Sequence, residues 1–163
     1  MKPIIVWLSA ILAWLPTHSF ATQFTRASAI RSLRRCNGEP VKATCTEEAA
    51  EFLIDQFERG DGSLLTILVR TGLYADGALA TDLAVFYDEM LTTKPEVFLG
   101  QLGRYKAADR KKLAALAATG DGSGIEEEQL AKIVANLKRL IAQGRPDIQA
   151  IARIVLREVQ RAN

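Results

Sequence analysis

Beyond residue 21 this 163-residue chain has no histidine and no tryptophan, because His18, Trp7 and Trp14 all fall in its first 21 positions. Without an imidazole, the Ser–His and Cys–His nucleophile pairs cannot be assembled from the rest of the chain. Aromatic residues are scarce, at 7%. Beyond residue 21 they are Tyr74, Tyr87, Tyr105 and five phenylalanines, and a core that claims the phenylalanines leaves few stacking platforms for a sugar site. Only two cysteines are present, Cys36 and Cys45, too few thiolates for a tetrahedral zinc site that has no histidine to complete it. Long apolar runs are missing as well. The run from Ile4 to Leu15 is shorter than the roughly 20 residues a spanning helix needs, and the apolar stretch Leu64 to Val69 stops at Arg70.

What the N-terminus does contain is the pattern of a secretory leader. Lys2 supplies a positive start, Ile4 to Leu15 an apolar stretch, Pro16 a break, and Ser19-Phe20-Ala21 small residues at the −3 and −1 positions of a cleavage site. The expected organisation is a removed leader over 1–21 and a single domain over 22–163 that is periplasmic or secreted. No cysteine sits at the cleavage point, so no lipid-modified terminus or stable membrane anchor is expected. In an oxidising compartment Cys36 and Cys45, which flank Asn37-Gly38-Glu39-Pro40, read as a disulfide. Closing so short a loop would stabilise the fold by about 2–3 kcal/mol.

The net charge of +2 gives no overall reason to expect nucleic acid as a partner. The charge is nevertheless uneven along the chain: +4 over residues 22–45, −8 over 46–96 and +5 over 97–163. Within the acidic block, Glu48, Glu51, Asp55 and Glu58 recur at i, i+3, i+7 and i+10, one stripe on a helix opposite its Phe52, Leu53 and Phe57 side. Like charges at this spacing cost an isolated helix a few tenths of a kcal/mol per pair. The stripe reads either as a solvated face or as a rim that attracts a basic partner, and Asp82 and Glu89, seven apart, would extend it.

Hydrophobic periodicity is helical almost throughout, with no alternation long enough for a half-buried strand. The predicted fold is all-α, one bundle of about six or seven short helices, with stacked helical hairpins open as an arrangement. Helical patterns run from Thr22 to Arg35, from a cap at Thr44 or Thr46 to Arg59, and from Asp76 past Met90. Thr93-Lys94-Pro95-Glu96 reads as a capping box with proline in the first turn. Ala107 to Thr119 follows, then Ile125 to Gln143, and Pro146 to Arg161 closes the pattern. Gly-Asp-Gly-Ser occurs twice, at 60–63 and 120–123, and turn chemistry explains the pair better than a repeat. The second copy is similar to the middle of a calcium-binding EF-hand loop. Counting from Gly124 as the sixth position places Thr119 first and Leu130 twelfth, neither of them a carboxylate, so no metal and no cofactor is expected.

In its leader, its cysteine pair, its helical body and its acidic stripe, the chain resembles the small periplasmic all-helical immunity proteins that bacteria direct against cell-wall-cutting effectors. The resemblance covers general features and no signature motif, so it carries over no functional residue. It implies a non-enzymatic protein-interaction domain that occludes a secreted effector, and the acidic stripe itself offers Glu48, Glu51, Asp55, Glu58, Asp82 and Glu89 as the residues that would meet a basic partner. Oligomeric state stays open. Two other readings stand beside it: a carboxylate-dependent cell-wall enzyme, for which Glu58 and Asp88 are the testable residues, and a helical adaptor or chaperone-like accessory protein.

Overall fold

The computed structural model describes residues 24–36 and 47–163. The expected leader, residues 1–21, and the segment carrying Thr44, Cys45 and Thr46 lie outside them, as does the side chain of Cys36. Eight helices are found among the described residues: α1 Arg26–Cys36, α2 Glu47–Glu58, α3 Leu65–Thr71, α4 Gly77–Thr93, α5 Pro95–Leu102, α6 Ala107–Leu116, α7 Glu127–Gln143 and α8 Pro146–Ala162. A 3₁₀ turn over Gly62–Leu64 leads into α3, and one isolated bridge pairs Gly120 with Gly124. The all-α class is as predicted, and the eight helices among the described residues exceed the expected count of about six or seven. None of the described helices is long and apolar enough to cross a membrane.

Local signals account for several of these helix ends. Thr25 Oγ1 accepts from the Ser28 amide at 3.2 Å while the Thr25 amide donates to Ser28 Oγ at 2.9 Å, a reciprocal cap that starts α1. Pro95 and Pro146 occupy the first turns of α5 and α8, where a missing amide proton costs nothing. Glu127 and Glu128 lie at the positive end of α7. The box predicted at Thr93 does not form. Thr93 belongs to the last turn of α4, where its hydroxyl donates to the Glu89 carbonyl at 2.8 Å, and Lys94 takes the junction with α5.

The core centres on α4, which packs against α2, α5 and α7, while α8 packs against α5, α6 and most extensively α7. Tyr87 and Phe98, both fully buried, lie with ring centroids 5.0 Å apart, and Phe86 meets Phe57 of α2 edge-on at 5.3 Å. The Tyr87 hydroxyl donates to the Leu68 and Val69 carbonyls at 3.0 and 3.2 Å, filling acceptors that the end of α3 leaves open. Gly72 makes that approach possible: a Cβ there would lie 2.4 Å from the tyrosine oxygen. Asn136 of α7 serves α4 in the same way through the Leu91 and Thr92 carbonyls, and Arg110 of α6 serves the Leu102 carbonyl of α5 at 3.4 Å and the Tyr105 carbonyl of the turn after it at 2.8 Å. Side chains from other helices thus tie the carbonyl ends of α3, α4 and α5.

The expected Cys36–Cys45 disulfide falls outside the described residues, which include neither Cys45 nor the side chain of Cys36. What holds α1 in place is apolar burial of Ala29 and Leu33, together with Arg26, whose Nε lies 2.6 Å from Asp61 Oδ2 and whose terminal nitrogen donates to Ser63 Oγ at 2.9 Å.

Candidate functional site

Helix α2 separates its residues by face. Ala49, Ala50, Leu53 and Phe57 are buried, whereas Glu47, Glu48, Glu51 and Glu58 are exposed and Asp55 is half-buried. Phe57 packs on Phe86 and lies under the Lys94 ammonium at 5.1 Å, and α4 runs on alongside. This pairing sets Asp82 of α4 beside the first two turns of α2.

The result is a cluster of three carboxylates. Oxygens of Glu47, Glu51 and Asp82 all lie within 4.8 Å of one another. Asp82 is half-buried and its Oδ2 is shut from solvent without a hydrogen-bond partner. Burial pushes the Asp82 carboxyl above the usual range, and the negative charges of Glu47 and then Glu51 push it further. No lysine or arginine among the described residues forms an ion pair with any of the three. Such a group can accept an ammonium or guanidinium from outside, and its oxygen donors are of the type that hard cations take.

Of the six residues predicted for partner binding, the fold brings Glu51 and Asp82 into this group. Glu48, Asp55, Glu58 and Glu89 stay outside it, and Asp55 is engaged by Arg59 one turn on, at 2.9 Å. Glu47 joins the cluster although it was not among the predicted residues. Its spacing of four from Glu51 was the signal available.

Comparison with known proteins gives no match to a family model, a curated protein or a solved structure.

A second carboxyl stands out on α4. Asp88 is only 3% exposed, and its Oδ1 has no hydrogen-bond partner. Burial, with a lesser contribution from the negative charge of Asp121, pushes its pKa up to about 7. The two carboxyls named for an enzymatic reading therefore have opposite settings, Glu58 exposed on α2 and Asp88 enclosed. A general acid must come within hydrogen-bond reach of its substrate, which Asp88 would achieve only after the surrounding helices moved.

Proposed function

We propose that this protein is a non-enzymatic, exported interaction domain of the immunity type, which uses the α2–α4 carboxylate face to engage a basic region of a secreted cell-wall-degrading effector. The observation that carries this reading is the convergence of Glu47, Glu51 and Asp82 with no cation from the described part of the chain to neutralise them. Gathering like charges costs stability, and a cationic side chain from a partner would recover that cost while steering the encounter. The absence of histidine beyond residue 21 and the enclosure of Asp88 favour occlusion of a partner's cleft over hydrolysis by this chain itself.

The test starts from the reading frame adjacent to the gene. Its product, exported together with this protein, should degrade cell wall alone and be inert in its presence. A Glu47→Lys, Glu51→Lys, Asp82→Lys variant should retain its helical spectrum, associate about tenfold or more slowly, and lose most of that association's dependence on salt. Unchanged association by the triple variant would overturn the role of this face. Turnover of purified peptidoglycan by this protein alone, abolished by a single Glu→Gln or Asp→Asn change, would overturn the non-enzymatic reading.

A further inference from the structure

Away from the acidic face, α6 and α8 enclose a cleft of about 280 Å³ lined by Ala107, Lys111, Ile154, Arg157, Glu158 and Arg161. The helical repeat produces it. Ile154, Arg157, Glu158 and Arg161 follow one another at i, i+3, i+4 and i+7 along one shoulder of α8, beside the Ile151, Val155 and Val159 stripe that enters the core. Ala107 and Lys111, one turn apart on α6, form the facing wall.

The charged groups that line this cleft leave one another unpaired, with Lys111, Arg157 and Arg161 exposed at its walls. Glu158 is 8% exposed, yet neither a hydrogen bond nor an ion pair engages its carboxylate among the described residues. Lys111, Arg157 and Arg161 line the same space, and none of them is ion-paired among the described residues. The Glu158 carboxylate oxygens are not among the buried atoms left without a partner, so the charged head reaches solvent from a side chain whose stem is packed away. Here one acceptor and three cationic donors share a cleft and none satisfies another.

We propose that the α6–α8 cleft binds a small zwitterion of the α-amino-acid class. The ligand carboxylate is received by Lys111, Arg157 and Arg161, its ammonium group by Glu158, and its apolar carbons lie against Ala107 and Ile154. The excess of cations selects a ligand with more negative than positive groups, so an acidic amino acid fits better than a neutral one. The volume lies near the roughly 300 Å³ lower end of ligand clefts, which suits a small solute or one peptide terminus.

The experiment is a titration of the folded full-length protein, followed by amide chemical shifts, with glutamate, with glutarate, which lacks the ammonium group, with a glutamate dipeptide and with inorganic phosphate. Glutamate should bind saturably in the millimolar range or tighter, with shifts concentrated at Ala107, Lys111, Ile154, Arg157 and Arg161, and glutarate about tenfold more weakly. Glu158→Gln should abolish that preference, and the exposed-site variants Lys111→Ala and Arg157→Ala should each weaken glutamate about tenfold while leaving the helical spectrum unchanged. Tighter binding of the dipeptide than of glutamate would identify a peptide terminus as the source of the same chemistry. Equal binding of glutarate, glutamate and phosphate would overturn the role of Glu158 and reduce the cleft to a general cationic patch. Absence of saturable binding by all four would overturn the proposal.

Discussion

The Gly-Asp-Gly-Ser turns at 60–63 and 120–123 share four residues and a local bond, yet they do different work. In each, the aspartate carboxylate accepts from the serine hydroxyl two positions on, at 2.5 Å in the first and 2.6 Å in the second. In each, the aspartate is held below its usual pKa range. For Asp61 the leading cause is the Arg26 guanidinium, and for Asp121 it is the hydroxyl and then the amide of Ser123. The first turn has one left-handed glycine, Gly60 at φ 112°, and then passes directly into the 3₁₀ turn. The second has Gly120, Gly122 and Gly124 at φ 61°, 94° and 104°, folded so tightly that a Cβ at Gly120 would lie 2.3 Å from the Gly124 carbonyl oxygen. Asp61 meets a cation from α1, whereas the charge of Asp121 acts on an enclosed acid, Asp88. Identical turn chemistry thus serves as an anchor in one place and as a source of electrostatic tension in the other.

The sharpest way to break this comparison is to put alanine at the first glycine of each turn. Gly120→Ala combines a left-handed backbone with a backbone collision and should cost about 3 kcal/mol or more, whereas Gly60→Ala, with no atom within 4 Å of the added carbon, should cost only about 1–2 kcal/mol of backbone strain. Urea unfolding of the two variants checks the order, and similar losses would mean that the second turn relaxes freely.

Asp88 should give the next largest effect. Its folded-state pKa of about 7 lies above the ordinary 3.8, so the folded state binds the proton more tightly. The stability associated with this group is fully present below about pH 4 and is lost as pH rises through about 7. Asp88→Asn should therefore stabilise the protein by about 2–4 kcal/mol at pH 8 and flatten its stability between pH 4 and 8. Asp121→Asn should lower the Asp88 midpoint, followed by carboxyl NMR. An Asp88 midpoint near 4 in the unaltered protein would remove the electrostatic difference between the turns.

The smallest effects are expected from the ties that hold each turn to the rest of the fold. Asn163 accepts from the Ile125 amide at 3.2 Å and donates to the Ala118 and Val159 carbonyls at 3.2 and 3.1 Å, so Asn163→Ala should cost about 1–2 kcal/mol in thermal or urea unfolding. Arg26→Ala removes a solvent-exposed pair and should cost less, with a loss that shrinks further as salt is added. A larger loss at Arg26 than at Asn163 would reverse the ranking of the two anchors.

How much of this was legible beforehand differs by element. Periodicity located the helices α2, α7 and α8, and proline in the first turn marked α5 and α8, because these signals act within a few residues. The cap at Thr93 was misread because a threonine near a helix end can equally return its hydroxyl to the preceding turn, and the packing of α4 extends that helix by the residues needed. Side-chain caps on carbonyl ends, such as Tyr87 on α3 and Asn136 on α4, involve partners 18 to 45 residues apart, and no local pattern announces them. The acidic stripe was visible as a helical repeat, but membership of the carboxylate cluster depended on where α4 lay, which retained Glu51, added Glu47 and left Glu48, Asp55, Glu58 and Glu89 aside.

The sequence by itself determined the helical class, most helix limits and the presence of an acidic face, since backbone propensity, hydrophobic period and net charge are properties of neighbouring residues. Only the tertiary structure decided which charges converge, which carboxyl is enclosed and which cleft lacks internal pairing. Those outcomes depend on distances between helices, and electrostatic energy and desolvation change steeply with distances that sequence spacing does not specify.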